Sequence, residues 1–354
     1  VKNSRFLWAH RVSRRFSLKI VFSIALMSVP LAGCGALVTP VAYHVHKDRI
    51  GKPVTGQDPF IQDVASRFGF MALLSEMVYY RSTRGRDSAH CENPAARDGL
   101  LQLPVVGKNG VTGRWERAAN QGDVSFCLDD KSGVFYETLF FRTPAGQVKE
   151  AVIVFRGTEG PSLRDWTANL SSATGVEPRQ YRVALDALDK VFKELAKPEY
   201  QGIAIYTAGH SLGGGLAQQA GFRFAQVDAV YAFNSSPVTN WSWMALNDEI
   251  TQDWPVIYRL SHTGEALGGL RSVATSMTST RFNRYDIGIQ LQEKSLVAGH
   301  AINVMACGFA RIIAQAEISE NAHYYPLGYA RRLIDHDPMC AAFRKDDKSG
   351  VQIP

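Results

Sequence analysis

Four short apolar runs, each ending in a polar or glycine-rich cluster, set the rhythm of this 354-residue chain. They cover residues 151–155, 203–208, 229–233 and 256–260. Apolar runs of this length, bounded by turn residues, read as strands buried on both faces. A further strand is predicted over 134–141, ahead of the turn Thr143-Pro144-Ala145-Gly146, and another over 285–291. Between the strands the period changes. Phe60, Val64, Phe68, Met71, Leu74 and Val78 fall on one face of a helix predicted over 58–80. Val183, Leu185, Leu188, Val191, Phe192 and Leu195 do the same over 182–196, and a last helix should run from His300 through Ile313. Residues 82–122 are polar, with scattered Gly and Pro, and read as a loop region. Strands alternating with helices imply an α/β fold, with a mainly parallel central sheet and helices on both faces. Chemistry in such sheets sits beyond the carboxyl ends of the strands, where this chain becomes polar.

The N-terminal stretch has another pattern. Residues 1–19 are basic, residues 20–29 are apolar, and Leu31-Ala32-Gly33-Cys34 follows. A basic region, a short apolar core and small residues at a cleavage point describe an export signal. The core is shorter than the ~20 residues of a membrane span. Leu31-Ala32-Gly33-Cys34 resembles a bacterial lipobox, which implies cleavage after Gly33 and lipidation of Cys34. Residue 35 is Gly rather than Asp, which by the same resemblance implies the outer membrane. The expected organisation is a signal over 1–33, a tether over 34–57 and one catalytic domain over 58–354, with 315–354 as a C-terminal extension.

The leader also explains the net charge of +6. Six of the 39 Lys and Arg precede Cys34, and no Asp or Glu does, so the rest carries 33 cations against 33 anions. The basic sequence pI of about 9.0 therefore reflects the leader and is no evidence for a nucleic-acid surface, and no nucleic-acid partner is expected. The remaining cysteines, Cys91, Cys127, Cys307 and Cys340, allow three disulfide connectivities in an exported protein. The most local is Cys91–Cys127 with Cys307–Cys340. No CxxC pair suggests zinc.

The densest chemical signal is Gly209-His210-Ser211-Leu212-Gly213-Gly214-Gly215, directly after the 203–208 run. GxSxG between a strand and a small-residue helix is a nucleophile-elbow pattern. The sharp turn exposes a serine hydroxyl, glycines two residues away leave room for it, and the helix start offers free N–H groups to an oxyanion. The other reading is a phosphate-binding glycine turn, but GxxxxGK[ST] is absent.

Upstream stand Phe155-Arg156-Gly157-Thr158 and Asp165-Trp166-Thr167-Ala168-Asn169-Leu170. Together with Gly-His-Ser-Leu-Gly-Gly, and in this order, these motifs resemble the class 3 (fungal-type) lipase family over roughly residues 60–314. The resemblance implies the α/β-hydrolase fold, a Ser-acid-His triad without cofactor or metal, and a lipid ester substrate. It implies Thr158 and the N–H of Leu212 as oxyanion donors, and a lid over 159–177. The acid falls on Glu265, where the family usually has Asp, with Asp248 and Asp253 as outside candidates. His262 reads as structural. Two histidines compete for the base: His300, which opens a helix after a strand, and His323, which stands before aromatics. The expected activity is hydrolysis of acylglycerols or phospholipids. The alternatives are a short-chain esterase or thioesterase, and a non-catalytic envelope lipoprotein that binds lipid or protein.

Overall fold

A computed structural model describes residues 42–45 (backbone), 59–79, 91, 100–107, 109–157, 179–238, 244, 246, 250, 255–262, 265, 267, 284–289, 291, 299–315, 325, 326 and 328–343. Cys34, Thr158, the expected lid at 159–177, Asp248, Asp253 and His323 lie outside these residues, as do the signal stretch, most of the 34–57 stretch and residues 316–324, 327 and 344–354 of the C-terminal extension.

Among the described residues one sheet has ten strands: β1 (Ala42–Val45), β2 (Val105–Gly107), β3 (Gly110–Arg117), β4 (Cys127–Asp129), β5 (Phe135–Arg142), β6 (Val148–Phe155), β7 (Ala204–His210), β8 (Ala229–Phe233), β9 (Val256–His262) and β10 (Arg284–Ile289). The order is β1-β10-β9-β8-β7-β6-β5-β3-β2, with β4 on β5. From β6 through β10 to β1 every pairing is parallel, while β5, β4, β3 and β2 add an antiparallel flank. The parallel part comprises the four apolar runs and β10, as expected, together with β1. The stretch read as a tether supplies β1, the edge strand beside β10.

Period-two alternation divides the core into two layers. In β6, Val152 and Val154 join one apolar cluster, and Ala151, Ile153 and Phe155 the other. The first cluster is completed by α1 (Pro59–Met77), α4 (Ile302–Gln315) and α5 (Tyr329–His336). The second is completed by α2 (Arg179–Leu195) and α3 (Leu212–Arg223). α2 shows the one-sided stripe its sequence predicts. α1 does not: Phe70, Ala72, Leu73 and Met77 are buried as well as Val64, Phe68, Met71, Leu74 and Val78 of the expected stripe, because the α4 layer covers its other side. Phe68 lies 6.1 and 5.1 Å from the rings of Tyr231 and Tyr258 on the sheet, and Phe70 lies 5.3 Å from Trp115.

The 82–122 stretch departs from its loop reading by forming β2 and β3. The hydrophobic signal of β3 is one buried side chain, Trp115, flanked by charged residues. Those charges pair with β5, through Arg142–Glu116 at 2.6 Å and Arg117–Glu137 at 2.8 Å. Gly113 permits the close pairing, since a Cβ there would meet the Arg142 carbonyl oxygen. The disulfides take the local connectivity, Cys91–Cys127 and Cys307–Cys340.

Candidate active site

The elbow forms where β7 ends and α3 begins. Ser211 has φ 58° and ψ −124°, a strained backbone for a residue with a side chain. Its N–H donates to the Phe233 carbonyl at 3.0 Å, and its carbonyl accepts from Gly215 at 3.2 Å and Ser236 at 2.9 Å. These bonds hold the turn from both strand and helix sides. The glycines are sterically required. A Cβ on Gly209 would lie 2.4 Å from the Gly213 oxygen, and one on Gly213 would lie 2.3 Å from the Phe155 oxygen. Leu212 opens α3, so its N–H belongs to the first-turn donors without an intrahelical acceptor.

β6 brings the expected oxyanion segment to this turn. A Cβ on Gly157 would sit 3.2 Å from the Ser211 Cβ and 2.6 Å from the His210 oxygen. The strand end immediately before Thr158 therefore touches the elbow.

Glu265 follows β9 and His300 precedes α4. The carboxylate Oε2 accepts from His300 Nδ1 at 2.6 Å and from the Leu267 N–H at 3.0 Å. Glu265 and His300 are each 3% exposed. A proton held at Nδ1 leaves Nε2 of the neutral ring as the acceptor. That Nε2 and the Ser211 Oγ are both buried, and neither has a hydrogen-bond partner. Buried polar atoms are ordinarily paired, so two such atoms in one site are suited to incoming groups. The His300 ring centroid is 4.8 Å from that of His210, the residue before Ser211.

Ser211, Leu212, Glu265 and His300 thus come together from β7, α3, the end of β9 and the start of α4. His262 accepts from the Leu291 N–H at 3.3 Å and fits its structural reading. His336 is exposed at the end of α5. No group of three or more His, Cys, Asp or Glu among the described residues could hold a metal.

Sequence reasoning missed three side chains. Tyr79 OH contacts His210 Nδ1 at 2.9 Å and accepts from the Gly157 N–H at 3.0 Å. His210 Nε2 lies 2.6 Å from the His300 carbonyl oxygen. Asn234 Nδ2 donates to the same oxygen at 3.0 Å. Asn234 was visible only as a polar strand end, His210 only as a motif letter, and Tyr79 carried no signal.

The sequence profile of a phospholipase-like family, the Tle-like phospholipase domain, matches residues 70–247. The chain is 37% identical over 161 residues to an extracellular phospholipase A1 of Serratia liquefaciens, covering 45% of this chain and 46% of that protein. The match thus spans about half the length of that relative. Among solved structures, lipase II from Rhizopus niveus is 13% identical, with 63% of this chain and 79% of that one covered and a TM-score of 0.32. Extracellular lipase LipA from Serratia marcescens is 14% identical, with coverages of 78% and 51% and a TM-score of 0.32. The α/β-hydrolase architecture follows from the topology itself: a mainly parallel sheet, helices on both faces and an elbow after a central strand. The family match includes the elbow and ends before Glu265 and His300. It is to a phospholipase-like family, so the class 3 likeness remains one of motifs.

Proposed function

The chain belongs to the Tle-like phospholipase domain family, and from that premise we propose that it is a serine hydrolase of lipid carboxylic esters, of phospholipase A1 type. The observation that carries the reading is the buried Glu265–His300 contact beside the elbow, with His300 Nε2 and Ser211 Oγ both unpartnered. Ser211 Oγ attacks the ester carbonyl and His300 Nε2 takes its proton. Glu265 keeps the other ring proton on Nδ1 and balances the imidazolium. Leu212 N–H and Thr158 bind the oxyanion. His300 returns the proton to the leaving alcohol, and water then hydrolyses the acyl-enzyme by the same route. The site in hand favours His300 over His323, because His300 already has its acid. The family and the Serratia liquefaciens relative favour phospholipids over triacylglycerols.

The test is release of fatty acid from vesicles of phosphatidylcholine carrying different chains at sn-1 and sn-2. Wild type should release the sn-1 chain and Ser211→Ala none. Hydrolysis of emulsified triacylglycerol alone would shift the reading to a lipase, and of soluble short esters alone to an esterase. Folded protein that neither turns over nor reacts with a fluorophosphonate would make it a binding module.

Export and lipid anchoring at Cys34 belong to the same proposal. Two disulfides suit an oxidising compartment, and an anchored hydrolase would meet its substrate in the membrane. A palmitate analogue should label wild type and not Cys34→Ala; equal labelling rules out the anchor.

A further inference from the structure

The acid holds the His300 ring, but a base must also be held by its backbone. The ring pivots about its own peptide, and a misplacement of 1 Å lowers turnover ~100-fold. A carbonyl oxygen has two lone-pair directions. Both partners on the His300 carbonyl are side chains from other elements: His210 at 2.6 Å and Asn234 at 3.0 Å. Each is fixed independently. His210 is buried, one residue before the nucleophile. Asn234 directly follows β8 with φ 41°, a left-handed conformation that Asn tolerates. Its N–H donates to the Leu260 carbonyl at 2.8 Å, and its Oδ1 accepts from the His262 N–H at 2.8 Å. One amide therefore ties the strand that leads to the acid to the loop that carries the base.

Hydrogen-bond direction extends the chain. A bare His210 Nε2 would oppose the carbonyl lone pairs, so Nε2 carries the proton and Nδ1 of the neutral ring accepts. The Tyr79 O–H then donates to Nδ1 while its oxygen accepts from the Gly157 N–H. Gly157 adjoins the oxyanion residue. Bonds in such a directed series reinforce one another in a buried setting.

We propose that His210 and Asn234 are positioning residues that grip the main-chain carbonyl of His300, and that Tyr79 extends this grip to the oxyanion strand at Gly157. The proposal rests on His300 being the base. None of the three needs to touch substrate: they set where the base stands relative to nucleophile, acid and oxyanion hole.

Asn234→Asp keeps the acceptor for His262 and a side chain that tolerates φ 41°, but turns an anionic oxygen toward the Gly299 and His300 carbonyls. On a soluble p-nitrophenyl ester its kcat should fall ~100-fold with KM within about twofold of wild type. The rate of fluorophosphonate capture at Ser211 should fall by the same factor, since both steps need the base. Tyr79→Phe removes a single oxygen and keeps the ring, so it decides the matter if Asn234→Asp does not fold. Its kcat and capture rate should fall together, by ~10-fold, a fraction of the full misplacement. Wild-type kcat in either folded variant, with His300→Ala inactive, overturns the positioning role and leaves the base assignment standing. A loss confined to KM also overturns it. Activity retained in His300→Ala overturns the base assignment and this proposal with it.

Discussion

Gly213→Ala sets two effects of opposite sign against each other. Gly213 is the second residue of α3, and its φ is not in the left-handed region. Helix propensity alone favours alanine over glycine by ~1 kcal/mol. The added Cβ, however, lands 2.3 Å from the Phe155 oxygen, 2.8 Å from the Arg156 carbonyl carbon and 2.9 Å from the Phe155 carbonyl carbon. All three are backbone atoms. To reach even the 3.0 Å that real Cβ contacts respect, something must move by about 0.7 Å. Phe155 is fully buried at the end of β6, paired with Tyr136 on one side and Gly209 on the other, so the strand cannot yield. The start of α3 must move instead. Overpacking of this kind costs ~1–3 kcal/mol, leaving a net loss of roughly 0–2 kcal/mol after the propensity gain. Ser211 and the Leu212 N–H ride on the displaced turn, so kcat should fall by at least ~100-fold. Urea unfolding and ester turnover on the same preparation measure both quantities. Gly146→Ala is the control. It lies in the β5–β6 turn at φ 83° with nothing within 4 Å of its Cβ. It should lose ~1–2 kcal/mol from conformation alone and keep its activity. A Gly213→Ala protein that is both more stable and fully active would refute the steric account of the elbow.

Ser211→Gly should remove the strain of φ 58° together with a buried, unpartnered hydroxyl, raising stability by ~1–3 kcal/mol in urea unfolding while turnover falls ~10⁶-fold. A less stable glycine variant would contradict the strain. The Cys307–Cys340 bridge closes a 33-residue separation and joins α4 to the turn at Pro338–Phe343. Replacing both cysteines with alanine should lower the unfolding free energy by ~4 kcal/mol in the chain-entropy model, an effect that thermal and urea melts would reveal. An unchanged melt would mean that the covalent link adds nothing to the α4 layer.

The parallel strands were legible because burial on both faces demands near-continuous apolar runs, and β6 to β9 have them. β3 was not, because a strand of the antiparallel flank that buries only the Trp115 side chain and pairs its charges across to β5 has the composition of a loop. The elbow was legible because a steric requirement is written locally: glycine is needed wherever a Cβ would strike backbone. Glu265 was singled out by the class 3 lipase resemblance as a carboxylate after a strand, with Asp248 and Asp253 as outside candidates. His300 remained one of two histidines, since the base enters from a part of the chain with no local constraint on its sequence. Tyr79 and Asn234 were invisible as site residues. Their contacts with His210, Gly157 and His300 join segments 66 to 131 residues apart, a distance over which spacing carries no information.

The sequence by itself determined the period of the buried parallel strands and of α2, the turn that bears Ser211 and the balance of charge after a basic N-terminal stretch. These depend on interactions within a few residues, or on composition. Only the tertiary structure decided which histidine meets Glu265, that α1 is buried beyond its expected stripe, and that His210 and Asn234 close on the His300 carbonyl. Those outcomes depend on which strand ends and helices the fold brings side by side. Packing of the whole chain sets that order, because hydrogen-bond geometry and burial select partners by position in space and not by separation along the chain.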